Sequence, residues 1–154
     1  MTQLKQNSKF DSISIGDELP PFEIVETQET MDRPSENTRI PNVAGMRPKK
    51  NLHNDADFAG KSLFGTTANA GVMTMAYINQ MIEVCFTAES FYNGGTLTYK
   101  GINPFRPGDE VVFTGEVIGK RTESGNNLVD LAIKGIDKTG RLVGVAEATV
   151  VPGA

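Results

Sequence analysis

The chain has 154 residues, a formal net charge of -4 and 22% charged residues. This length suits one domain, and we predict a single domain over residues 1–154. The acidic balance argues against nucleic-acid binding. One cysteine and one histidine exclude an internal disulfide and a zinc site of Cys and His ligands, and we predict no metal and no cofactor. No apolar run could span a bilayer and residues 1–12 lack a signal-peptide core, so we predict a cytoplasmic protein.

The first part of the chain combines a short strand with a proline-containing segment. The run "PFEIVE", residues 21–26, is predicted to be a strand. Residues 27–50 contain prolines at positions 34, 41 and 48 and show little apolar period. We therefore predict an irregular excursion with low helix content. Loops of this length inside a compact domain are usually functional or lie at interfaces.

One long amphipathic helix is predicted over residues 69–87, "NAGVMTMAYINQMIEVCFT", which contain no proline. Asn69 is predicted to cap its N-terminus. At 100° per residue, the apolar side chains gather within an arc of about 140°. The members of this arc are Met75, Ile78, Met81, Ile82, Cys85 and Phe86.

Strands follow the helix to the end of the chain. One is predicted over residues 94–102. From residue 108 onward three more follow one another, separated by "TESG" and "DKTG". Gly125 and Gly140 can supply the positive φ of tight turns, so consecutive strands pair as an antiparallel meander. The predicted class is α+β, with the apolar stripe of one long helix buried against one face of an antiparallel sheet.

The stretch "NLHNDADFAGKSLFGTTANAG", residues 51–71, holds the single histidine and leads into the predicted helix. An aliphatic-His pair is followed, with five residues between, by a small residue, then by Phe-Gly, then by a glycine at the helix start. These positions are Leu52, His53, Ala59, Phe64, Gly65 and Gly71. Together with the order of elements and "NPFRPGDEV" at 103–111, they resemble the MaoC-like hydratase/dehydratase family of the hot-dog superfamily.

The resemblance implies a hot-dog fold, in which an antiparallel sheet wraps around one long central helix. It also implies a hydro-lyase that adds or removes water across the 2,3 bond of an acyl thioester of the enoyl-CoA class. His53 would be the acid/base, and the N–H of Gly71 would stabilise the thioester oxygen. Proteins of this superfamily pair side by side, so the resemblance implies at least a homodimer, with a paralogous hot-dog subunit as another possible partner.

The chain departs from the family motif at several positions. Pro48 stands where the family has its catalytic aspartate, and Lys50 and Asn51 replace an Asn-Pro pair. Ala70 replaces the histidine before the helix glycine. Two residues are candidates to complete the site: Asn51 could orient water, and Asp55 could enter from beyond His53. Asp55 could instead favour the first turn of a short helix over "DADFAG".

Candidate binding residues surround the motif. Arg47, Lys49 and Lys50 could contact the phosphates of a CoA-like ligand, or form an ordinary solvated charge run. Further candidates to contact substrate are Phe64, Gly65 and Asn69.

Three functions are compatible with these residues. The first is the hydratase, favoured by His53, Ala59 and Gly71. The second is a non-catalytic hot-dog subunit that binds acyl thioesters or supports an active paralogue, favoured by Pro48. The third is a hot-dog acyl-CoA thioesterase, in which water attacks the thioester carbonyl.

Overall fold

A computed structural model describes residues 2–37 and 50–152, with the side chains of 33–37 excepted. The strands are β1 (Glu18–Val25), β2 (Thr96–Gly101), β3 (Glu110–Glu123), β4 (Asn126–Asp137) and β5 (Leu142–Val150). The helices are α1 (Gln28–Asn37), α2 (Ala56–Gly60), α3 (Gly71–Cys85) and α4 (Ala88–Tyr92), with a short 3₁₀ turn at Phe10–Ser12. None of the described helices is long and apolar enough to cross a membrane.

The five strands form one antiparallel sheet in the order β1-β3-β4-β5-β2. The predicted meander is confirmed: β3, β4 and β5 pair in sequence order, and both Gly125 and Gly140 have positive φ. Alternation along β4 places Val129, Leu131 and Ile133 on the buried face. These side chains therefore point toward the helix layer of the core.

Helix α3 supplies the other half of the core. Its buried side chains share the face that the apolar period predicts, with Thr74 and Tyr77 added to it. They pack in one cluster with the inward-facing residues of the sheet. The sulfur-bearing Cys85 is fully buried, and burial raises the pKa of its thiol to about 11. The predicted α+β architecture, one long helix against an antiparallel sheet, is confirmed.

The prediction for residues 27–50 is wrong in its first part, because α1 occupies Gln28–Asn37. Thr27 begins this helix: its hydroxyl accepts from the Thr30 N–H at 3.0 Å, and its carbonyl accepts from Met31. A Thr cap is a helix start signal, whereas the prediction rested on the prolines and the weak apolar period. The helix runs past Pro34 even though proline has no N–H to donate. Residues 38–49 lie outside the described part of the chain.

A close contact on the inner face of the sheet gives a stability prediction. Gly135 lies opposite Phe113 in the β3–β4 register. A Cβ at position 135 would lie 2.5 Å from Cε1 of the Phe113 ring, which is fully buried. We expect Gly135→Ala to lower the free energy of unfolding by about 1–3 kcal/mol because the packed ring cannot move aside. Chemical denaturation measures this change.

Gly60→Ala is the matched control. No atom lies within 4 Å of a Cβ built at Gly60, which ends α2. We expect a change within about 0.5 kcal/mol for this exposed position. Equal stability of the two variants would contradict the packing argument.

Candidate active site

The candidate site begins with the turn that carries His53. The Asn51 side-chain oxygen accepts from the His53 backbone N–H at 2.8 Å, and Asn54 closes the same turn by accepting from the Asn51 N–H at 2.9 Å. The Gln28 amide, from the first turn of α1, donates to the His53 carbonyl at 2.8 Å. Asn51 thus shapes the backbone at His53, and its predicted role in orienting water stays a prediction.

The His53 ring is partly buried and is held by one backbone carbonyl. Its Nδ1 lies 2.7 Å from the Ala68 oxygen. Because a carbonyl can only accept, Nδ1 carries the proton and the neutral ring has its lone pair on Nε2. The Ala68 N–H donates back to the Leu52 carbonyl at 3.1 Å. Residues 52–53 and Ala68 therefore bind each other through two hydrogen bonds.

Helix α3 starts three residues after Ala68, and its N-terminus has no side-chain cap. The N-cap position is Ala70, and Gly71 is the first helical residue. The prediction that Asn69 caps the helix is wrong, because its side chain is engaged elsewhere: its oxygen accepts from the Thr74 hydroxyl at 2.9 Å and its amide donates to Glu26. Within the described residues, no group accepts a hydrogen bond from the Gly71 N–H, which leaves a donor directed outward from the helix.

Asp55 occupies a structural position beside the motif. Its side chain caps α2 by accepting from the Phe58 N–H at 2.8 Å, and it forms an ion pair with Lys50 at 2.9 Å. The Lys50 ammonium and the Phe58 N–H lower the pKa of the Asp55 carboxyl. These contacts agree with the alternative in which Asp55 favours the first turn of the short helix. Its proposed part in catalysis, and that of Lys50 in binding phosphate, stay predictions.

Glu26 is the feature that the sequence prediction missed. This carboxylate follows β1, is fully buried and accepts from the Asn69 amide, from the Tyr77 hydroxyl at 3.2 and 3.3 Å, and from the Thr27 N–H at 3.1 Å. Burial raises the pKa of Glu26, and the Asn69, Thr27 and Tyr77 donors lower it by less. Burial and the Glu26 charge also raise the pKa of Tyr77, so its hydroxyl stays protonated. Only a weak signal for this cluster was present in the sequence. Two polar side chains, Thr74 and Tyr77, share one helical face with the apolar Met81.

The raised pKa of Glu26 predicts a direction for stability against pH. A carboxyl whose pKa is higher in the folded than in the unfolded state stabilises the fold when protonated. The difference in unfolding free energy, wild type minus Glu26→Gln, should therefore be largest below the ordinary pKa of 4.5 and should fall as pH rises through the raised value. Urea denaturation over an acid-to-neutral pH series measures it. A difference that stays constant or grows with pH would contradict this prediction.

The other predicted contacts lie in the loop between α2 and α3 or outside the described residues. The Phe64 N–H donates to the Ser62 hydroxyl at 3.2 Å, and Gly65 has a φ of +67°, which favours glycine. Ala59, the small residue of the motif, is fully buried. Arg47, Pro48 and Lys49 fall within 38–49, which the structure does not describe. Binding by Phe64 and Gly65 stays a prediction.

A groove of about 840 Å³ lies on the strands, and none of the predicted site residues lines it. Its lining includes charged side chains from all five strands, namely Glu18, Glu116, Lys134, Glu147 and Lys100. No group of three or more His, Cys, Asp or Glu side chains able to hold a metal ion occurs among residues 2–37 and 50–152.

No protein-family model matches the chain, and no curated protein sequence matches it. Solved structures do. The chain is similar to the unliganded R-hydratase PhaJ1 from Pseudomonas aeruginosa, with a TM-score of 0.71 and 17% identity over 94% of this chain and 84% of that one. It is also similar to a MaoC-like dehydratase from Rhodospirillum rubrum, with a TM-score of 0.71 and 19% identity over 94% and 96% of the two chains.

A third similar structure is the ChsH1-ChsH2 complex from Mycobacterium tuberculosis, with a TM-score of 0.70 and 14% identity over 91% of this chain and 98% of that one. Identities this low establish a common fold. Element order, strand pairing and near-complete coverage agree with the fold that the motif implies. The chain therefore has the hot-dog fold of the MaoC-like dehydratases and (R)-hydratases.

Proposed function

We propose that the protein is a hydratase/dehydratase that adds or removes water across the 2,3 bond of an acyl thioester of the enoyl-CoA class. One observation carries the proposal: the His53 ring is bound to the Ala68 carbonyl, three residues before the uncapped start of α3 at Gly71. This arrangement combines, on neighbouring segments, an imidazole and a backbone donor that no described residue engages. Both are groups that hydration of an unsaturated thioester requires.

The reaction can proceed with His53 as both base and acid. Nε2 takes a proton from water while the oxygen of that water forms a bond to C3. The π electrons of the 2,3 bond move toward the thioester, and the Gly71 N–H donates to the oxygen on which negative charge builds. The imidazolium then returns the proton to C2, which restores the neutral ring. The Ala68 carbonyl accepts from Nδ1–H throughout and holds the ring orientation.

The test is a direct assay of crotonyl-CoA with the purified protein. Absorbance of the conjugated thioester should fall as the 3-hydroxyacyl product forms, and longer enoyl-CoA esters give the chain-length preference. Free thiol is measured in the same samples. Loss of absorbance without thiol release supports the hydratase, whereas thiol release identifies a thioesterase. Intact substrate at every chain length contradicts both.

A second candidate is a non-catalytic subunit that binds acyl thioesters. The observation in its favour is that no carboxylate in the described residues lies within ion-pairing distance of His53, while Asp55 is engaged with Lys50 and α2. Neighbours of known structure include a two-protein complex, ChsH1-ChsH2. A rise in melting temperature with CoA esters, without turnover, is the result expected for this alternative.

A homodimer and a cytoplasmic location stay predictions. Both accord with the proposed reaction on a soluble thioester. Sedimentation velocity of the purified protein tests the first.

A further inference from the structure

Glu26 is a buried acidic side chain without a cationic partner among the described residues. It is fully inaccessible to solvent, and the causes of its pKa shift are burial and hydrogen bonds, with no neighbouring cation. Burying an ionised carboxylate is unfavourable unless its oxygens accept hydrogen bonds. The proposed hydration steps do not use this group. Its place in the fold therefore needs another explanation.

The backbone of Glu26 is itself anchored, so its side chain starts from a fixed point. Its N–H donates to the Asp109 carbonyl at 3.0 Å, and its own carbonyl accepts from the Gly108 N–H at 2.8 Å. The Thr27 N–H and the Tyr77 hydroxyl contact Oε1, while Oε2 accepts from Asn69 Nδ2 and from Tyr77. The carboxylate thus joins the end of β1 to the start of α3.

Asn69 connects the Glu26 carboxylate to the candidate site. Its backbone N–H donates to the Phe105 carbonyl at 2.7 Å, and its side-chain oxygen accepts from Thr74 within the first turn of α3. The preceding residue, Ala68, supplies the carbonyl that holds His53. Gly71 follows two residues later. A shift of Asn69 would therefore move both the His53 acceptor and the Gly71 donor.

Gln28, from the same part of the chain, also connects the segment before α3 to His53. Gln28, two residues after Glu26, accepts from the Thr67 hydroxyl at 2.6 Å and donates to the His53 carbonyl at 2.8 Å. Residues 26–28 therefore bind the segment 67–69 and the backbone of His53 together. Side chains that meet across 43 positions in sequence, as Glu26 and Asn69 do, link these segments directly.

We propose that Glu26 is a positioning residue whose buried carboxylate, through Asn69, holds the 67–70 segment so that His53 and the Gly71 N–H face the same reacting group. The inference rests on the proposed function for its catalytic consequence. Its structural part, control of the His53 ring by Glu26, stands independently. The carboxylate itself, fully buried, does not touch substrate.

The test exchanges donor and acceptor between the two side chains. Glu26→Gln retains the oxygen that accepts from Thr27 but places an amide against the amide of Asn69. The double variant Glu26→Gln/Asn69→Asp restores one N–H···O bond with its direction reversed, and position 69 can still accept from Thr74. The matched control is Glu83→Gln, which makes the same substitution in a carboxylate that accepts from the Asn79 amide at 2.7 Å on the exposed side of α3.

The first readout is the tautomer of His53, measured by ¹⁵N NMR with the ring neutral. The assignment is unambiguous because the sequence contains one histidine. Wild type and the Glu83→Gln control should carry the proton on Nδ1. Glu26→Gln should shift the population toward Nε2–H, and the double variant should return it to Nδ1. This readout needs no catalytic activity, so it stays decisive if the hydratase proposal fails.

The second readout is hydration kinetics. Misplacing catalytic groups should lower kcat of Glu26→Gln by about 10- to 100-fold with little change in KM, and the double variant should recover most of the loss. A folded Glu26→Gln protein with wild-type tautomer and kcat would overturn the proposal. So would a lower melting temperature with an unchanged tautomer, which would mean a structural role alone, or a double variant no better than the single one.

Discussion

Replacing His53 with alanine is expected to lower kcat for hydration of crotonyl-CoA by about 10²- to 10⁴-fold, the contribution of a positioned acid or base. This corresponds to roughly 3–5 kcal/mol of barrier. In the proposed steps the same nitrogen takes the proton from water and returns it to C2, and no second acid/base is assigned. The effect should therefore approach the upper part of that range. Initial rates from the loss of enoyl absorbance measure it.

Lys61→Ala is a suitable control for His53→Ala because Lys61 is an exposed residue just after α2. Both variants should keep the far-ultraviolet circular dichroism of the wild type. The His53 ring hydrogen bond to Ala68 is lost in the first variant, so its melting temperature is compared as well. A folded His53→Ala protein that hydrates crotonyl-CoA within threefold of wild type (about 0.7 kcal/mol) would remove His53 from the mechanism.

Replacing Gly71 with proline is expected to lower kcat by roughly 10²- to 10³-fold, the usual loss of one oxyanion donor. Proline removes the N–H and nothing else from the start of α3, since the first helical position tolerates it. The preceding residue, Ala70, already has φ −70° and ψ 136°, the conformation that a residue before proline requires. The substitution therefore removes a donor without breaking the helix. Enoyl-CoA kinetics and the melting temperature are measured together.

Gly71→Ala separates the donor from the side chain. It keeps the N–H and adds a Cβ that would lie 4.0 Å from the Tyr99 ring, an ordinary contact. Its kcat should stay within about threefold of wild type. If alanine and proline reduce kcat equally, the lost activity comes from added bulk, and the N–H has no part in stabilising the thioester oxygen.

The two variants together also discriminate between the candidate functions. A hydratase loses turnover in both His53→Ala and Gly71→Pro. A non-catalytic binding subunit has no turnover to lose. For such a subunit, the rise in melting temperature caused by CoA esters is compared between wild type and the two variants. The sequence has Pro48 where the family has its catalytic aspartate, and position 48 lies outside the described residues. These variants measure what remains possible without that aspartate.

Several predictions from local sequence agree with the structure because the information that decides them is local. Alternation along β4 places Val129 and Leu131 inside, and the turns at Gly125 and Gly140 force neighbouring strands to pair. The apolar period of α3 likewise identifies its buried face. One local signal was missed: Thr27 caps α1, and the prediction of low helix content for 27–50 is wrong over Gln28–Asn37.

In the candidate site, too, some features could be predicted from local sequence and others could not. From the sequence alone, the resemblance of the stretch containing His53, Ala59 and Gly71 to the MaoC-like family indicated which residues to consider and which fold to expect, and the side-chain period indicated the long helix, since a short motif and a period are read within a few tens of residues. Only the tertiary structure decided that Ala68 holds the His53 ring, that Asn69 binds Glu26 and leaves the helix start uncapped, and that Tyr77 donates to the same carboxylate. These contacts join residues 15 to 51 positions apart. Hydrogen-bonding side chains can meet many partners, and it is the packing of α3 and β1 that selects among them.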